Sequence, residues 1–147
     1  MEVIEFYRVN EDYGCFSNFA PYPIILKGKE WPTSEHFFQA QKFVGTEHEE
    51  AIRLAKSPKI AASMGRSWER PLRPDWEEVK DDVMRDAVLA KFTQHKKIRR
   101  ILMDTGDALL VEHTWRDSYW GDGGDGQGQN RLGQILMEVR EELATSR

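Results

Sequence analysis

Between residues 33 and 94 the apolar side chains of this chain recur at steps of three and four, with breaks at Gly45, at Ser57-Pro58 and through Arg70-Pro71-Leu72-Arg73-Pro74. Proline removes a backbone donor and pushes the preceding residue out of helical conformation, so these breaks predict about four helices instead of one rod. The longest is expected over residues 74 to 93. Val79, Val83, Ala87 and Ala90, with Met84 and Val88, form its apolar stripe. Asp75 is expected as its N-cap, with Glu78 three residues on in a near capping box. Further helices are predicted over residues 96 to 103, stopping at Thr105-Gly106, and over 130 to 143. Residues 3–9 and 22–27 are rich in β-branched and aromatic side chains, the second run ending at the turn-like Gly28-Lys29, and 108–112 reads as a buried strand. The expected fold is α+β and predominantly helical, with a small antiparallel sheet of short strands. No linker or repeat divides the 147 residues, which fall at the size of a single domain, 1–147.

Composition narrows the function classes. The chain is 39% hydrophobic and 31% charged, an ordinary globular balance. It has no apolar run approaching the roughly 20 residues needed to cross a bilayer, and Met1-Glu2-Val3-Ile4-Glu5 lacks the features of a signal peptide. The expectation is a cytoplasmic protein with no membrane partner. Its one cysteine, Cys15, excludes an internal disulfide and a cysteine-rich zinc site and reads as a small buried residue. His36, His48, His95 and His113 form no i, i+4 pair, so no metal is expected. A net charge of -4 argues against a non-specific nucleic-acid coat. The basic run His95-Lys96-Lys97-Ile98-Arg99-Arg100 reads as a solvated helix face, the functional alternative being attraction of a phosphorylated substrate.

Gly121, Gly123 and Gly126 satisfy the dinucleotide pattern G-x-G-x-x-G, but Asp122 and Asp125 would repel a pyrophosphate and no βαβ unit surrounds them. A flexible wall closing over a ligand competes there with a plain surface loop. Glu35 is a sharper candidate. Pro32-Thr33-Ser34 is a helix-start signal that places Glu35 in a first helical turn, with Gln39 and Lys42 on the same face and Phe37, Ala40 and Val44 on the other. The helix dipole favours an ionised carboxylate there, which suits a base, nucleophile or electrostatic stabiliser. Asp117 leaves the predicted strand at the mouth of the glycine loop and is the second acid candidate. Two such carboxylates divide the work of glycosidic cleavage, one stabilising an oxocarbenium-like state and one activating water. Trp76 and Trp120 are candidates to stack on a heterocyclic base.

The segment WPTSEHFFQAQKF at 31–43, with FSNF at 16–19, resembles the signature of the YbiA-like, or NADAR, N-glycosidases. Further blocks fall in the family's order: Ala62-Ser63-Met64-Gly65-Arg66, the run from Arg73 to Lys80, Lys91-Phe92-Thr93-Gln94, Asp117-Ser118-Tyr119-Trp120-Gly121 and Gly128-Gln129-Asn130-Arg131-Leu132-Gly133. The resemblance implies hydrolysis of a ribosylamine-type C–N bond without a bound cofactor. It implies two substrate groups, phosphoribosylamino-pyrimidine intermediates of riboflavin synthesis and ADP-ribose attached to guanine in nucleic acid. It places the acidic active-site residue on Glu35, the second acid on Asp117 and the stacking tryptophan on Trp76, with Asn18, Arg66, Lys80 and Asn130 lining a sugar-phosphate pocket. Phe38 stands where the family commonly has Tyr, and Trp115 where it commonly has Pro. The expectation is that Glu35 and Asp117 stabilise a ribosyl cation and activate water, while Trp76 stacks on the base and Arg66 with Lys80 holds the phosphate. Gln39 and Trp120 complete the substrate-binding set. The rival is a non-catalytic module that binds ADP-ribose or a related nucleotide.

Overall fold

The computed structural model describes residues 2–67 and 69–145. In chain order the elements are β1 (Val3–Phe6), β2 (Ile24–Leu26), β3 (Lys29–Trp31), α1 (Ser34–Gln41), α2 (Glu47–Arg53), α3 (Pro58–Gly65), α4 (Trp76–Gln94), α5 (Lys96–Asp104), β4 (Leu109–Glu112) and α6 (Arg131–Thr145), with one 3-10 turn at Gly14–Phe16. The fold is α+β and predominantly helical. Two compact units divide the chain, one comprising Met1–Ala20 with Phe92–Arg147 and the other Pro21–Lys91, so the division falls within α4. No helix among the described residues is long and apolar enough to cross a membrane.

In the unit 21–91, β2 and β3 form an antiparallel hairpin registered Ile24 to Trp31 and Leu26 to Lys29. Its turn has positive φ at both Lys27 and Gly28, the geometry that matches the twist of a tight hairpin. Three helices start on hydroxyl caps. The side-chain oxygens of Thr33, Thr46 and Ser57 accept from the backbone amides of His36, His48 and Ile60, and Pro58 occupies the first turn, where it sacrifices no helical bond. Ile24, Trp31, Phe37, Ala40, Phe43, Ile52, Ala61, Ala87 and Ala90 form the core, with Val83 packed against it. The expected stripe of α4 thus supplies Ala87 and Ala90, while Met84 and Val88 are also buried. Asp75 acts differently from the expected cap. Its carboxylate pairs with Arg73 at 2.6 Å, and its carbonyl, not its side chain, accepts from Glu78 and Val79.

In the other unit, β1 and β4 pair in parallel, Val3 opposite Leu109 and Phe6 opposite Glu112. The antiparallel expectation therefore describes β2–β3, while the second pair runs parallel across a connection of about a hundred residues, as parallel pairs need a long crossover. Phe16 stands between Phe6 and Phe92, at ring separations of 5.6 and 6.0 Å. Helix α6 packs tightly on β4 at Gly133, where an added Cβ would overlap the Leu110 carbonyl oxygen and lie 2.6 Å from Asn130 Oδ1. Alanine ordinarily stabilises a helix interior relative to glycine. At Gly133 the sign reverses, and Gly133→Ala is expected to lower stability in urea by about 2 kcal/mol through overpacking against a backbone that cannot yield. A variant as stable as the parent would show that α6 can move off β4 without cost.

Candidate functional site

Glu35 sits in the first turn of α1 and is only 6% exposed. Its helix-start position was predictable; its burial was not, since a polar stripe is as often solvated. Gln39 follows one turn later, 3% exposed, and its Nε2 donates to Glu35 Oε2 at 2.7 Å. Lys42 closes the helix. Its Nζ donates to the carbonyl of Gly65 at 3.2 Å and lies 5.9 Å from the ring centres of both Phe38 and Trp76. Burial pushes the Lys42 amine below its ordinary pKa. Glu35 and Glu77 pull it back up, and Arg66 and Lys80 oppose them. Two carboxylates, an amine and two further cations therefore share one electrostatic neighbourhood, and Glu35, Lys42, Arg66 and Lys80 among these five were singled out from sequence or lie on the stripe of Glu35.

The remaining expected residues of this unit fall as follows. Arg66 caps the C-terminal end of α3 and is exposed. Lys80 pairs with Glu77 at 2.6 Å. Trp76 is 5% exposed, its ring 5.1 Å from that of Phe38 and its centre 5.9 Å from the Lys42 ammonium. Phe38 itself is buried against that tryptophan, which makes the missing phenolic hydroxyl a packing change. Lys91 was not singled out, yet it is 1% exposed with Nζ 5.8 Å from the Tyr22 ring. The signal for it was a lysine beside the apolar Ala87 and Ala90 of α4.

In the other unit, Asp117 uses Oδ1 to accept from the amides of Tyr119 and Trp120, at 2.9 and 2.8 Å. That pair of bonds orders the entry to the glycine loop. Trp120 is half-buried and its ring meets Tyr119 edge-on at 4.8 Å. Asn18 is buried next to the 3-10 turn. Asn130, also among the expected pocket residues, accepts through Oδ1 from the Glu112 amide and donates from Nδ2 to the Leu110 carbonyl, both at 2.9 Å. Its carboxamide thereby ties α6 to β4, and positive φ marks the bend there. The glycine loop is held closed by backbone bonds from Gly128 to Asp122 and from Asn130 to Gly121. Asp122 is buried beneath it, accepting from Thr114 and Gly124 amides and lying 2.7 Å from His113 Nδ1. Asp122 and Glu5 raise the pKa of His113. These three are the described residues with metal-ligand spacing, but Asp122 is already fully engaged by hydrogen bonds. A cavity of about 740 Å³ lies alongside, lined by Glu5, Arg8, Glu11, His113, Trp115 and Arg116 among others. The basic run of α5 keeps Ile98 and Leu102 buried and Lys96, Lys97 and Arg100 exposed, the solvated face expected.

His36, next to Glu35, is the buried titratable group whose pH behaviour is clearest. Its Nε2 lies 3.0 Å from the Ala55 carbonyl and must donate to it, leaving Nδ1 to accept from the Thr33 hydroxyl at 2.8 Å. Burial lowers its pKa from the ordinary 6.5. The unfolded chain therefore takes up this proton first as pH falls, so the contribution of His36 is intact above about 6.5 and declines below it. Urea titrations of the parent and His36→Gln at pH 7.5 and 5.5 are expected to show a smaller acid loss in the variant. An equal loss would remove His36 as its source.

Comparison with known proteins places this geometry in context. A family model described as the NADAR domain matches residues 5–144. The chain is 58% identical over 142 residues to the N-glycosidase YbiA of Escherichia coli (strain K12), covering 97% of this chain and 89% of that protein. It is 44% identical over 140 residues to the riboflavin biosynthesis protein VVA0006 of Vibrio vulnificus (strain YJ016), covering 95% of this chain and 38% of that protein. The NMR structure of E. coli YbiA matches with a TM-score of 0.90 at 57% identity, over 97% of this chain and 85% of that one.

Proposed function

We propose, from the premise that this chain belongs to the NADAR domain family and is a hydrolase of N-glycosyl bonds, that it cleaves the C–N bond of phosphoribosylamino-pyrimidines and releases ribose 5-phosphate. The observation that carries this reading is the buried Glu35 carboxylate, held by Gln39 and flanked by the Lys42 amine. Cleavage of a ribosylamine builds positive charge on the ribose ring, and a fixed carboxylate in a site poor in water stabilises such charge far better than one in solvent. Arg66 is an exposed cation in the same neighbourhood, suited to a phosphate. Asp117 is assigned the second acidic role, positioning or deprotonating water. The riboflavin biosynthesis name of the Vibrio relative supports the pyrimidine as leaving group.

The reading needs no bound cofactor; its partner is a small phosphoribosyl metabolite. The test offers the purified protein a phosphoribosylamino-pyrimidine and, side by side, DNA carrying ADP-ribosylated guanine, with product analysis by mass. Release of ribose 5-phosphate from the first alone supports the reading. Release of ADP-ribose from the second alone replaces the substrate but keeps the bond class. Tight binding with no product from either would identify a non-catalytic nucleotide-binding module.

A further inference from the structure

We infer that Gln39 is a positioning residue for Glu35, and that residue 65 is glycine because any side chain there would expel the Gln39 carboxamide; this rests on the reading of Glu35 as the carboxylate at the reacting sugar. Gln39 follows Glu35 at i+4 on α1, the spacing at which helical side chains meet. A carboxylate only accepts hydrogen bonds, so the amide must turn Nε2 toward Glu35, where it donates at 2.7 Å. That orientation leaves Gln39 Oε1 facing the other way, buried and accepting no hydrogen bond from a described residue. A buried acceptor without a donor is a net cost to the fold. An apolar side chain of similar size would remove the cost, so the amide's return lies in what it does for Glu35. It fixes the torsion of the carboxylate and, as a charge-assisted donor, favours the ionised form.

Gly65 explains how the amide stays in place. It ends α3, and a Cβ built there would overlap Gln39 Oε1 and lie 2.7 Å from Cδ and 2.9 Å from Cβ of the same side chain. Its backbone is helical, so alanine would ordinarily be preferred. Close approach of the Gln39 side chain excludes it. The Gly65 carbonyl also accepts from Lys42 Nζ at 3.2 Å. Two groups of α1, the amide that holds Glu35 and the amine beside it, thus converge on a single residue of α3.

The experiment compares Gln39→Leu, Gly65→Ala, Gln39→Ala and Gln39→Ala/Gly65→Ala by turnover across pH, thermal melting, and a carbon-13 titration of the Glu35 carboxyl. Gln39→Leu is expected to change the melting temperature little, since it removes the unpartnered Oε1 together with the bond to Glu35, to lose about ten- to a hundred-fold in kcat with little change in KM, and to move the Glu35 titration to higher pH. Gly65→Ala is expected to reproduce that upward movement although it deletes no polar group. In the double variant it should add nothing to Gln39→Ala, because the clash it creates is already gone. A lower melting temperature for Gln39→Leu with unchanged kcat and an unchanged carboxyl titration would make Gln39 a structural filler and overturn the inference. An inactive Glu35→Gln beside a fully active Gln39→Leu would overturn it alone; a fully active Glu35→Gln would overturn the parent reading and this inference together.

Discussion

Glu35→Gln is expected to reduce release of the base by about a thousand-fold while leaving the melting temperature nearly unchanged, as loss of a fixed charge opposite a developing cation does in other preorganised sites. The substitution keeps the shape of the side chain and leaves it able to accept from Gln39 Nε2, so the fold loses little. What it removes is the negative charge. Single-turnover measurements at saturating substrate separate the two effects, because a pure binding role would raise KM and spare kcat. Asp117→Asn is the companion. An asparagine oxygen can still accept from the Tyr119 and Trp120 amides, so the loop stays ordered and any loss of turnover reports the charge alone. Turnover within tenfold of the parent in Glu35→Gln would remove the carboxylate from the mechanism.

Trp31→Ala is expected to have the largest effect on stability, about 4 kcal/mol in urea, the range for emptying a large aromatic site in a packed core. Trp31 is fully buried, donates from Nε1 to the Leu26 carbonyl at 3.0 Å and meets Phe37 edge-on at 5.1 Å. The cavity would open beside Phe37 of α1, at a position four residues before Glu35, so residual folded protein should also turn over more slowly. Trp31→Phe keeps most of the packing and loses chiefly the hydrogen bond. Its expected cost is nearer 1–2 kcal/mol. A loss below 1 kcal/mol for Trp31→Ala would mean that the neighbouring side chains refill the site.

Several features were legible in the residues because they depend on local chemistry. Thr33 and Ser57 cap helices since a short side-chain oxygen reaches the free amides of a first turn, and Pro58 and Gly45 punctuate the chain by their own backbone limits. Asp75 read as a cap by the same rule and failed because Arg73, two residues away, offers its carboxylate a charged partner. The parallel pairing of β1 with β4 was hidden by distance, since nothing within residues 3–6 records what lies opposite them a hundred positions later. The bonds of Asn130 to Glu112 and Leu110 were hidden for the same reason, since they join positions eighteen and twenty residues apart.

For the site, the sequence by itself determined that Glu35 would stand in a first helical turn with Gln39 one turn behind, and its resemblance to the NADAR N-glycosidases determined the type of bond. Both follow from short-range order, a helical period and a string of motifs in register. Tertiary structure alone decided that this carboxylate is buried, that Gln39 donates to it, and that Trp76 backs the Lys42 amine. Burial and hydrogen-bond partners are properties of packing between segments, and α3 brings Gly65 to within contact of α1 from more than twenty residues away.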